Sequence, residues 1–113
     1  MNFNRASVST RQVENWFERS RREPYVLSLF IAGMTHRSAE AVACIKGLCE
    51  IYLPGRYELE IIDIYQQPEL AKLYQIFAVP TLVKRFPAPA RRLIGDLTHA
   101  EEVLRGLDMH ARR

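Results

Sequence analysis

Apolar residues crowd one stretch of the chain. Tyr25, Val26, Leu27, Leu29, Phe30, Ile31 and Ala32 run together with only Ser28 between them. A short continuous apolar run predicts a strand buried on both faces, inside a parallel or mixed sheet. Gly33, Met34 and Thr35 follow as a turn with a permissive glycine. Thr35 or Ser38 then caps a helix in which Val42, Ile45, Cys49 and Tyr52 recur at helical spacing, with Ala41 and Leu48 beside them. Pro54-Gly55 ends that helix. Next, Tyr57, Leu59 and Ile61 alternate with Glu58 and Glu60 before Ile62, Asp63 and Ile64, which predicts a second strand, half exposed at its start. Residues 25–64 thus predict a right-handed strand-helix-strand crossover.

The second half is patterned differently. Gln67-Pro68 opens a helix with Leu70, Leu73, Tyr74 and Phe77 as its apolar stripe. Val79-Pro80-Thr81 leads into a strand through Leu82 and Val83 to Lys84, Arg85 and Phe86. A proline at a strand entrance is a place where a cis peptide can be held, which makes Pro80 a candidate cis-proline. Pro87-Ala88-Pro89 is a stiff connection with few donors. Arg91 to Ile94 pairs back as an antiparallel strand and ends at Gly95-Asp96. Thr98 or Asp96 caps a last helix that carries Val103, Leu104 and Leu107 and ends near Gly106-Leu107-Asp108. A strand-helix-strand unit followed by a helix and Val-Pro-Thr-Leu resembles the layout of a thioredoxin-like domain.

Residues 1–24 read as an extension, 25–108 as the domain, and 109–113 as a short basic tail. In the extension, Ser9 or Thr10 caps a short helix with Val13, Trp16 and Phe17 on one face. Arg11, Glu14, Glu18, Arg19, Arg21 and Arg22 form its polar face, and Pro24 stops it. The bland reading docks Trp16 and Phe17 on the domain or on a neighbouring subunit. A membrane-surface role is disfavoured by the glutamates and by the shortness of the stripe.

Composition narrows the function. At 113 residues and 48% apolar, the chain suits one globular domain with its own core. No apolar run is long enough to span a bilayer, and the first residues lack a signal-peptide core, so a cytoplasmic location is expected. Sixteen basic and thirteen acidic residues give a net charge of +3, too mild for a dedicated nucleic-acid binder. Cys44 and Cys49 lie five apart in the predicted helix, roughly 140° apart around its axis. They cannot act as a Cys-x-x-Cys pair, and both are expected to be reduced. His36, His99 and His110 have no metal-ligand spacing, and no Gly-rich phosphate loop occurs. Asp63 ends a buried strand, where carboxylates can be functional, but no second acid accompanies it. No enzyme activity and no cofactor are expected. Lys84, Arg85, Arg91 and Arg92 would cluster if their strands form a hairpin. Such a cluster either discourages edge-to-edge aggregation or docks an acidic protein surface.

Several strings together resemble one family. They are Tyr25 to Thr35, Ile62-Asp63-Ile64, Pro68 to Ala71, Pro80 to Lys84, Arg91 to Leu97 and Val103 to Asp108. On them the chain is identified as resembling KaiB, the small clock protein of the cyanobacterial Kai oscillator. The sensor domain of a clock-output histidine kinase is similar too. The resemblance implies a non-catalytic regulator that binds the KaiC ATPase, helps sequester KaiA and favours KaiC dephosphorylation. It also implies a metamorphic α/β protein. The free form would be a tetramer with a differently packed C-terminal half, and a rare monomer would be thioredoxin-like. The tetrameric packing is therefore the expectation for the free protein, with a dimer or tetramer as its oligomer.

By matching positions, Lys84, Arg91 and Arg92 would make partner or subunit contacts. Gly106 and Asp108 would tune the balance between folds, Tyr25 would match the first-strand tyrosine, and Pro80 would be the cis-proline of the thioredoxin-like state. Some positions depart from the family. Glu40, Glu60 and Gln75 stand where clock members often carry basic residues, and the chain ends in Ala111-Arg112-Arg113 rather than an acidic tail. The alternative is a KaiC-independent interaction protein in stress response or two-component signalling.

Overall fold

The computed structural model describes residues 24–107. Its elements in chain order are β1 (Tyr25–Ile31), α1 (His36–Tyr52), β2 (Tyr57–Asp63), α2 (Pro68–Leu73), β3 (Thr81–Phe86), β4 (Arg91–Ile94) and α3 (Ala100–Gly106). The helix expected within residues 1–23, Asp108 and the tail 109–113 all lie outside the described residues.

The strands form one sheet in the order β2-β1-β3-β4. β1 pairs in parallel with β2, from Tyr25 opposite Tyr57 to Ile31 opposite Asp63. β3 runs antiparallel to both β1 and β4. As the central strand, β1 must bury both faces, which is what its continuous apolar run supplies. Leu27, Leu29 and Ile31 point to one side, where Ala41, Ile45, Leu48 and Cys49 of α1 and Val103 of α3 meet them in the main core. Phe30 points to the other side and packs with Ile62, Ile76 and Val83 beneath Leu70, Ala71 and Tyr74. Helices thus cover both faces, α1 and α3 on one and α2 on the other.

This is the thioredoxin-like arrangement rather than the tetrameric packing expected for the free protein. Local preference and tertiary packing agree along the C-terminal half. Pro68 opens α2 at the start of its first turn, and β3 and β4 pair around Pro87-Ala88-Pro89. Leu82, Leu97, Val103 and Leu107 are buried against the same chain's first crossover, so their apolar surface is removed from water without a second subunit. The Val79–Pro80 peptide is cis, as are Phe86–Pro87 and Ala88–Pro89.

Two local expectations are corrected and one open choice is resolved. The stripe that was to run from Leu70 to Phe77 stops early, because α2 ends at Leu73 and Gln75 turns the backbone to φ 56°. Leu73 and Phe77 are consequently exposed. The last helix is preceded by His99 as its N-cap, with no side-chain cap bond, while Asp96 and Thr98 bond to each other instead. Of the two candidate caps for α1, Thr35 serves, its hydroxyl accepting from the Ser38 N–H at 3.1 Å.

Candidate partner-binding surface

Strand direction places four connections at one end of the sheet. The chain leaves β1, β2 and β4 there and enters β3 there. In a redox thioredoxin-like protein this end would carry paired cysteines at the start of the first helix. Here that start is Thr35-His36-Arg37-Ser38. Cys44 and Cys49 are free and lie further along α1, the latter buried. Burial pushes the Cys49 thiol up to about 11, with the nearby Glu50 charge adding to the effect. Such a thiol is a poor nucleophile at neutral pH.

Asp63 closes this end. Its Oδ1 accepts from the Gly33 N–H at 3.0 Å and from the Tyr65 N–H at 2.9 Å. The carboxylate that the sequence left open to a catalytic role is thus a tie between the loops after β1 and β2. Gly33 has φ 69°, and a Cβ there would meet the Tyr65 ring at 3.5 Å, so the tie and the ring fix one turn together. At the same end lies a cleft of about 390 Å³ lined by Arg37, Glu40, Pro80, Asp96 and Thr98, among others. Hydrogen bonds from the Thr98 side chain and backbone hold the Asp96 carboxyl below its ordinary value, helped by the His99 and Arg37 charges. The cleft therefore mixes opposite charges. Among the described residues, no three His, Cys, Asp or Glu side chains could hold a metal ion.

The same end carries apolar side chains in water. Phe77 is 91% exposed, Tyr65 74% and Met34 73%, with Ile94 at the end of β4 also exposed. Sequence reasoning missed this surface. Phe77 looked like the last residue of a buried helical stripe, and only the turn at Gln75, which has no strong sequence signature, frees it.

The expected basic cluster does not form as one patch. Lys84 sits opposite Leu27 and Arg91, on the face covered by α1 and α3, and is 1% exposed. It is a buried core position rather than part of a surface patch. Arg85 and Arg92 face the other side. Arg92 donates to the Tyr74 carbonyl at 2.7 Å and the Gln75 carbonyl at 2.9 Å, capping the end of α2 where backbone acceptors lack helical partners. Arg85 donates to the Tyr74 hydroxyl at 2.7 Å and reaches Glu60 at 3.5 Å. Arg91 alone of the four is exposed with only a weak contact, to the neighbouring Ala90 carbonyl at 3.4 Å.

Tyr25 is buried in the main core, with the Arg56 guanidinium 5.7 Å from its ring centroid. Gly106 lies in α3 against β4, where an added Cβ would meet Leu93 Cδ1 at 3.2 Å. It is therefore a packing position between the last helix and the edge strand.

Comparison with known proteins places this arrangement. The family described as the KaiB domain matches residues 28–109. The circadian clock oscillator protein KaiB of Synechococcus elongatus is 44% identical over 90 residues, covering 80% of this chain and 88% of that one. Its counterpart in Prochlorococcus marinus subsp. pastoris is 46% identical over 88 residues, covering 78% and 82%. Among solved structures, the N-terminal domain of Synechococcus elongatus SasA superimposes with a TM-score of 0.64 at 28% identity, covering 76% of this chain and 85% of that one. Mitochondrial thioredoxin 3 from Saccharomyces cerevisiae gives 0.61 at 15% identity, covering 85% and 88%, and so shares the fold alone. By the extent of these matches, the chain belongs to the KaiB family.

Proposed function

We propose that this chain is a non-catalytic regulator in the cytoplasm that binds a KaiC-like ATPase and modulates its phosphorylation state, as a clock component or a regulator derived from one. The observation that carries the reading is identity of 44–46% with clock oscillator proteins across most of their length. The structure supports a binding role in two ways. The start of α1 holds no cysteine pair, and the loops at that end present exposed Met34, Tyr65 and Phe77 rather than a set of reactive groups. Exposed apolar side chains gathered at one end suit a protein interface.

In this reading Arg91 is the charged contact offered to the partner. Gly106 and Asp108 set the balance between the thioredoxin-like state and an oligomeric one, a dimer or tetramer, in the free protein. Lys84 and Tyr25 act from the core of the thioredoxin-like state, of which Pro80 is the cis-proline, and Arg92 acts by capping α2. A KaiA-like protein or a histidine kinase would be a further partner. Two packings separated by a few kcal/mol suffice for such a switch.

The test is size-exclusion chromatography of the chain with the host's KaiC-like ATPase and ATP, followed over hours, with wild type and Asp108→Arg. The expected result is a slowly forming complex that forms faster with the variant. Absence of a complex with either protein sinks the reading and directs the search to a partner in stress or two-component signalling.

A further inference from the structure

The two faces of the sheet are unequally covered. α1 and α3 lie on one face and complete the main core. Among the described residues the other face has only α2, six residues long with none of them buried, over Phe30, Ile62 and Val83 toward the end of β1. At the beginning of β1 no described element covers the same face. Val26 is half-buried there, and its cross-strand partner Phe86 is 41% exposed. Exposed Glu58 stands beside Val26 on β2, and exposed Arg85 precedes Phe86 on β3.

We propose that the chain's own N-terminal segment covers this patch, with Val13, Trp16 and Phe17 seated on Val26 and Phe86. Three observations select this occupant. Pro24 delivers the segment at the start of β1, at the edge of the open patch. Phe17 lies seven residues before Pro24, a tether that reaches about 25 Å when extended, so the stripe can fold back over the patch. The charges also match, since Glu14 and Glu18 flank the stripe on the segment's polar side and can meet Arg85, while the segment's arginines can meet Glu58. A short tether keeps the stripe at high effective concentration over the sheet, which favours the intramolecular contact over one with a separate molecule. The segment lies outside residues 28–109, the region matched by the family.

Trp16 is the chain's single tryptophan, so its fluorescence reports the contact directly. The experiment compares the full chain with a peptide of residues 1–23, reading emission maximum and acrylamide quenching over a wide range of protein concentration. The expected result is blue-shifted emission and several-fold weaker quenching in the full chain, both independent of concentration. Phe86→Glu should return both readings to those of the peptide. Ile51→Glu, on the exposed side of α1 across the sheet, should change neither. If far-UV circular dichroism shows that Phe86→Glu does not fold, Val26→Ser carries the same test, with a smaller shift in the same direction. Three results overturn the proposal: quenching in the wild type as strong as in the peptide, protection that survives Phe86→Glu and Val26→Ser in folded protein, or protection lost on dilution. The last would make a second copy of the chain the occupant.

Discussion

Arg85 and Glu60 meet across the whole width of the central strand. The two lie on β3 and β2, with β1 between them, and their side chains approach to 3.5 Å. The position that β1 offers in the same row is Ser28, paired with Glu60 on one side and with Val83 on the other. A small side chain there leaves room for the crossing, and Ser28 is buried with no hydrogen-bond partner for its Oγ among the described residues.

That hydroxyl is a defect in an otherwise apolar strand. A buried polar group left unpaired costs about 1–3 kcal/mol. Ser28→Ala should raise stability by about 1 kcal/mol, read as a higher denaturant midpoint with an unchanged slope. Ser28→Leu should lower stability, because the larger side chain displaces the Arg85–Glu60 crossing. If Ser28→Ala is destabilising, the hydroxyl has a partner and the crossing is not its roof.

Arg91 and Arg92 are neighbours with different duties. Arg92→Ala removes two hydrogen bonds to carbonyls at the end of α2 and should cost about 1 kcal/mol, discounted for its exposure. Arg91→Ala should change stability by less than about 0.5 kcal/mol. Thermal denaturation of the two variants side by side separates them. In binding to a KaiC-like partner the order should reverse if Arg91 is the contact, with Arg91→Ala the more damaging relative to its effect on stability.

Gly106→Ala should favour the thioredoxin-like state. Glycine in a helix costs roughly 0.5–1 kcal/mol relative to alanine. The new Cβ meets Leu93 Cδ1 at 3.2 Å, the far end of a flexible side chain that can give way. A net gain of about 0.5 kcal/mol is expected from helix propensity less this crowding. Denaturant unfolding measures it, and Leu93→Ala in the same chain should remove the crowding part. A loss exceeding about 1 kcal/mol would mean that Leu93 cannot move.

One pH effect follows from an exposed pair. The Tyr57 hydroxyl donates to the Glu50 carboxylate, and that bond pushes the phenol from 10.0 up to about 12. A folded-state value raised above the unfolded one gives stability that is fully present below pH 10. It is lost as the pH rises through about 12. Glu50→Gln should return the phenol toward 10.0. Ultraviolet titration of the tyrosines follows the shift, and an unchanged high-pH tyrosine in the variant would refute the pairing.

The first half of the domain was legible because each element there is locally unambiguous. The run from Tyr25 to Ala32 reads as a strand buried on both faces, and Thr35, Pro54 and Gly55 bracket the helix between the two strands. The second half was legible in order but not in burial. Lys84 reads as a surface charge when taken with Arg85, yet its alternation with Leu82 puts both side chains on the face that α3 covers. Phe77 reads as buried because helical spacing continues through Gln75, whereas the backbone turns there. Which packing a chain adopts depends on the total of many contacts, and no short window carries that total.

The strand order gives the molecule a seam. Residues of β3, β4 and α3 join the rest of the sheet through a single ladder of five residue pairs, between β1 and β3. The ladder between β1 and β2 joins the two strands of the first crossover directly. If the chain exchanges folds as proposed, opening the zipper between β1 and β3 and lifting α3 from the shared core would detach β3, β4 and α3, with α2 left to peel from Phe30 and Ile62. In that proposal the crossover is the template on which the departed half is laid down again.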